Sequence, residues 1–113
     1  LAQAQEIQER AARVGFDWQD IAPVIDKVRE ELDELLTAEG SQRAEELGDL
    51  IFAVVNLSRS YDVEAESELR ATNQKFRRRF AYLESRARQE GRELSKMTLD
   101  EMDSWWEEVK RIE

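Results

Sequence analysis

From Leu47 to Leu57 the chain reads LGDLIFAVVNL. Successive residues of a helix are about 100° apart, so this stretch is apolar on nearly every side. Such a helix needs apolar neighbours around it and is expected at the centre of a helical protein. One narrow line breaks the pattern. Glu46, Asp49, Ala53 and Asn56, at offsets of three, seven and ten, share a face. A buried carboxylate without a partner is costly or becomes protonated. The line therefore calls for Arg or Lys from a neighbouring helix, or for a hard divalent cation held by oxygen ligands.

The rest of the chain repeats the helical period. One proline and four glycines in 113 residues leave little punctuation, so few, long elements are expected. Five helices and no strands are predicted. The first runs from Ala2 to Val14 and ends at Gly15; the second runs from Ile21 to Ala38, tolerates Pro23 in its first turn and ends before Gly40. Ser41 opens the third, which runs to Ser60. Asp62 caps a fourth from Val63 to Glu90, closed by Gly91. Thr98 and Glu101 form a capping box for a fifth that reaches Ile112. Apolar stripes follow: Val24, Val28, Leu32 and Leu35; Ala65, Leu69, Phe76, Phe80, Leu83 and Ala87; Leu99, Met102, one of Trp105 and Trp106, Val109 and Ile112. The fold class is all-α, a bundle of about five helices in a single domain over 1–113. The chain begins at Leu1 rather than Met and is read as a possible piece of a longer two-domain protein.

Charge and missing residue types narrow the chemistry. The net charge is −9, against polymeric nucleic acid or an anionic membrane as partner, although KFRRRF (Lys75–Phe80) is a local basic cluster. No cysteine and no histidine means no thiolate or imidazole metal site and no histidine base. The apolar run Leu50–Val55 is far too short to span a bilayer, and the amphipathic, charged start is not a signal peptide.

A second acidic pair precedes the first. In EELDELL, Glu31 falls about 20° from Val24 around the helix and Glu34 about 60° further out, at the edge of the apolar stripe. Glu30 and Asp33 point away. Two carboxylates spaced i, i+3 on one helix can face two on the next and converge on one or two ions. An all-oxygen donor set, with no histidine or cysteine, suits Mg²⁺ or Mn²⁺ rather than Zn²⁺. The Glu-x-x-His pattern of di-iron bundles and the EF-hand loop are both absent.

EELDE followed by EELGD resembles the EExxE…ExxD signature of the MazG family of nucleoside triphosphate pyrophosphohydrolases. FAVVNLSR, NQKFRRRF and the tail TLDEMDSWWEEVK continue the resemblance. It covers essentially the whole chain, from RAARVGFDW (Arg10–Trp18) to Lys110, and is closest to the C-terminal, catalytic half of two-domain bacterial members. One departure is the connection: eleven residues separate Glu34 from Glu46, at or just under the usual lower limit. The resemblance implies a dimeric all-α NTP pyrophosphatase that cleaves a nucleoside triphosphate to monophosphate and pyrophosphate, with Mg²⁺ held by Glu31, Glu34, Glu46 and Asp49. It also implies substrate contacts at Lys75, Arg79, Trp106 and Lys110, a homodimer, and a cytoplasmic house-cleaning role.

Each of these residues also has a plainer reading. Lys75 and Arg79 can be solvated or paired with surface acids. Adjacent Trp105 and Trp106 diverge around the helix, so one faces the core and the other is free to stack on a base. Trp18 is expected as a core anchor. Asn56 either binds a ligand or serves as a buried structural amide. Glu34, at the outer edge, is the candidate catalytic base. The alternative function is a non-catalytic helical dimerisation or regulatory module on the same fold.

Overall fold

The computed structural model describes all 113 residues, Leu1–Glu113. It contains α1 (Ala2–Arg13), α2 (Ile21–Thr37), α3 (Gln42–Ser60), α4 (Ala65–Gln89), a 3₁₀ turn at Leu94–Lys96, and α5 (Leu99–Ile112), with no strand. The chain divides into two compact units, Leu1–Glu68 and Leu69–Glu113.

In the first unit, α2 and α3 are joined by four residues and pack along one another, and α1 packs on α3. The buried apolar residues are Val24, Ala53, Val55 and Ala65. On α2 the buried stripe differs from the expected one. Val24 and Glu31 are buried and Val28 and Leu35 half-buried, whereas Leu32 is exposed. Gln8 of α1 is buried and donates through Nε2 to the Phe52 carbonyl at 3.0 Å, while Gln5 Oε1 accepts from the Ala65 amide at 3.0 Å.

α3 is less covered than its sequence predicts. Only Ala53 and Val55 are buried on it, and Leu47, Ile51 and Val54 are 47%, 43% and 43% exposed. These three recur at i, i+4 and i+7 and so form one bare apolar stripe.

In the second unit Leu83, Ala87, Met97 and Trp105 form the core, with Tyr82, Leu94, Met102 and Trp106 packed against it. Leu69, Phe76, Phe80, Leu99 and Ile112 of the predicted stripes are exposed.

The predicted ends hold to within a turn. Gly15, Gly40 and Gly91 take positive φ just beyond α1, α2 and α4, where an L side chain would be strained. The Thr98–Glu101 capping box is formed in both directions. Asp62 does not cap α4. It adopts φ 57° in the turn after α3, and α4 starts at Ala65, where Gln5 meets a free amide. No helix is long and apolar enough to cross a membrane.

Candidate metal and nucleotide site

The acidic residues meet where α2 packs on α3. One carboxylate oxygen from each of Glu31, Glu46 and Asp49 lies within 4.8 Å of the others. Glu31 is 6% exposed, more buried than its apolar neighbour Leu32, because it occupies the stripe begun by Val24. Lys27, one turn earlier, places Nζ 3.0 Å from Glu31 Oε1 and 3.6 Å from Glu30 Oε1. Nothing comparable serves the other oxygens: Glu31 Oε2 and Glu46 Oε2 are buried without a hydrogen-bond partner. An acceptor left unpaired in the interior carries the full cost of its desolvation.

Glu34 stands at the open side of this group. Its pKa is pushed up to about 6, chiefly by the charge of Glu31, with Glu46 adding to the effect.

Two of these carboxylates, Glu31 and Asp49, line a cleft of about 700 Å³ in the first unit. Lys27, Glu31 and Asp49 line it together with Ala53, Asn56 and Arg59. Ile7, Ala11, Phe16, Trp18 and Phe52 supply apolar surface. Trp18 is not the expected core anchor. It is 46% exposed, because it sits on the turn between α1 and α2 rather than on a helix face. Asn56 Oδ1 accepts from Arg59 Nη1 at 3.0 Å.

The remaining candidates are in the second unit. Arg79 and Trp106 meet there: the guanidinium lies 5.7 Å from the indole centroid, and Phe76 lies 5.1 Å from the same indole. Arg79 also forms a forked pair with Glu113, with Nη2 2.9 Å from Oε2. Lys75 is exposed one turn before Arg79, and Lys110 Nζ is 3.4 Å from Glu107. Of the two tryptophans, Trp105 is buried and Trp106 half-buried.

Sequence reasoning missed Lys27, Asp17 and Arg59. Lys27 was findable as an i, i+4 partner of Glu31. Arg59 continues the i+3 row from Asn56, but its partner Asp17 is 42 residues away, beyond any local signal.

The chain is 43% identical over 119 aligned positions to nucleoside triphosphate pyrophosphohydrolase of Escherichia coli (strain K12), covering 100% of this chain and 45% of that protein. It is 42% identical over 111 residues to nucleoside triphosphate pyrophosphohydrolase/pyrophosphatase MazG of Thermotoga maritima, covering 97% of this chain and 44% of that protein. It is also 52% identical over 68 residues to the uncharacterized protein YabN of Bacillus subtilis, covering 60% of this chain and 14% of that protein. The chain thus spans less than half the length of the first two relatives. No family model matches it.

Proposed function

Because the chain belongs to the MazG family, we propose that it hydrolyses nucleoside triphosphates to monophosphate and pyrophosphate in a Mg²⁺-dependent reaction. The carrying observation is the group of three carboxylates within 4.8 Å of one another, two of them with a buried oxygen that has no partner. Lys27 offsets one negative charge of several. A divalent cation is the partner these oxygens lack, and the all-oxygen donor set suits Mg²⁺, with Mn²⁺ as the alternative. Glu31, Glu46 and Asp49, with Glu34 beside them, are the residues that hold it.

When bound, Mg²⁺ neutralises and polarises the triphosphate oxygens that four acids would otherwise repel. The chain's own groups do the rest. Glu34, at the outer edge of the cluster, is the candidate to accept a proton from the attacking water. Lys75, Arg79 and Lys110 are the second unit's candidate cations for the phosphates, Arg79 and Lys110 on leaving Glu113 and Glu107, and Trp106 offers a flat surface to the ribose or base, which supports broad base specificity. The whole of 1–113 acts as one catalytic domain, as a homodimer, on free nucleotides in the cytoplasm. The bare stripe Leu47, Ile51 and Val54 supports the dimer.

Pyrophosphate release from ATP, GTP, CTP and UTP, with Mg²⁺ and with chelator, tests the reading. Metal-dependent release is expected from all four. Release no faster than a blank would favour a non-catalytic dimerisation module instead.

A further inference from the structure

The cleft has two chemically different ends. At one lie Glu31, Asp49 and Lys27; at the other lie Asp17, Trp18, Asn56 and Arg59. Asp49 and Asn56 are seven residues apart on α3, a rise of about 10 Å, which is the length scale of a nucleoside. Trp18 stands at the second end, and Phe16 and Phe52 add apolar surface to the same cleft.

That second end holds little free charge. Arg59 Nη2 donates to Asp17 Oδ2 at 2.8 Å, and Nη1 donates to Asp17 Oδ1 at 3.3 Å and to Asn56 Oδ1 at 3.0 Å. The Arg59 side chain is mostly buried, and Asp17 Oδ1 also accepts the Trp18 amide at 2.9 Å. The guanidinium is thus consumed by the carboxylate and the carboxamide, so the end does not present a bare cation to a phosphate. It does fix the Asn56 amide. With Oδ1 occupied by Arg59, the NH₂ must point elsewhere, and it makes no hydrogen bond within the chain.

We propose that this end of the cleft receives the nucleobase, that the Asn56 NH₂ donates to an acceptor on the base edge, and that Arg59 is the positioning residue that sets the amide's orientation. The proposal rests on the triphosphate reading above and adds the place and the residues that hold the base. Each common base carries a carbonyl oxygen or an unprotonated ring nitrogen on its edge, so a lone donor accepts all four. The Asp17–Arg59 pair holds the Gly15–Gln19 turn, and with it Trp18, against α3 as a wall of the same end.

The test combines turnover and metal-free binding. For ATP, GTP, CTP and UTP, Asn56→Ala is expected to raise KM about five- to tenfold, the loss of one hydrogen bond, and to change kcat by less than about twofold. Asn56→Ser, which keeps a donor, is expected to recover part of this. Arg59→Lys keeps the charge but loses the fork, so KM is expected to stay raised. If Arg59 acts through Asn56, the double variant is expected to be no worse than the poorer single one. Calorimetry with adenosine and uridine in chelator, which carry no phosphate for the acids to repel, is expected to give the same ranking of affinities. Unchanged KM and nucleoside affinity in a folded Asn56→Ala, with an active wild type, would overturn the base site. Multiplying losses in the double variant would overturn the positioning role of Arg59. A wild type that releases no pyrophosphate would sink the hydrolase reading, whereas adenosine binding that depends on Asn56 would survive it.

Discussion

Glu31 is a charged residue in an apolar stripe, and its tolerance there depends on what meets its two oxygens. Lys27 takes one; the other, like Glu46 Oε2, is buried without a hydrogen-bond partner, and the metal reading proposed above assigns both to a cation. Glu46→Gln and Asp49→Asn are therefore expected to abolish Mg²⁺-dependent turnover while leaving the fold intact. Each removes a like charge from the metal-free cluster, so melting temperature in chelator is expected to hold or rise slightly. Mg²⁺ is expected to raise the melting temperature of the wild type by mass action, and that of the variants less. Equal metal shifts in wild type and variants would remove these residues from the site. A second residue-scale expectation concerns Trp106, packed between Phe76 and Arg79. If it lies against the ribose or base of the bound nucleotide, Trp106→Ala is expected to raise KM for all four triphosphates alike, by roughly ten- to a hundredfold. Arg79→Ala is expected to lower kcat, if its contact strengthens as charge develops. An unaltered KM in folded Trp106→Ala would leave that indole as packing alone.

Among the elements, α5 has the best-defined start. Thr98 Oγ1 accepts the Glu101 amide at 3.1 Å, and Glu101 Oε1 accepts the Thr98 amide at 3.1 Å. Arg92 also pairs with Glu101, and its hydrogen bond is the main reason that the Glu101 pKa falls from 4.5 to about 2, with the Thr98 bonds adding to it. A folded-state pKa below the unfolded one means that the ionised form is favoured by folding. The contribution is fully present above about pH 4.5 and is lost as pH falls towards 2. The melting temperature of the wild type is thus expected to drop more steeply over that window than that of Glu101→Gln, which has no such titration. Parallel curves would refute this. Thr98→Ala is expected to cost about 1 kcal/mol, the usual worth of a side-chain N-cap, in denaturant unfolding. At this scale the sequence was highly legible. A capping box needs only residues three apart, and a glycine beyond a helix end needs only its own φ. Asp62 misled because it has the right type for a cap, but its backbone is left-handed and the Ala65 amide is met by Gln5 from another helix.

For the whole molecule, the main departure from expectation is α3. Its sequence asks for apolar neighbours on almost every side, yet Leu47, Ile51 and Val54 are bare. On the homodimer reading proposed above, a second copy of the chain covers the stripe, since a closed homodimer buries the same patch on both subunits. Light scattering at micromolar concentration is expected to give twice the chain mass, and Ile51→Lys, which puts a charge in the middle of that stripe, to shift the population towards the monomer. A wild type that stays monomeric would overturn the dimer. The sequence by itself determined the helices, most of their ends, and the sharing of one α3 face by Glu46, Asp49, Ala53 and Asn56, because period and capping act within a few residues of one another. Only tertiary structure decided that Glu31 rather than Leu32 is buried, that Glu31, Glu46 and Asp49 come within 4.8 Å, and that Arg59 reaches back to Asp17 across 42 residues. Those outcomes depend on the packing of one helix against another, and the spacing of residues along a single helix carries no record of its neighbour's register.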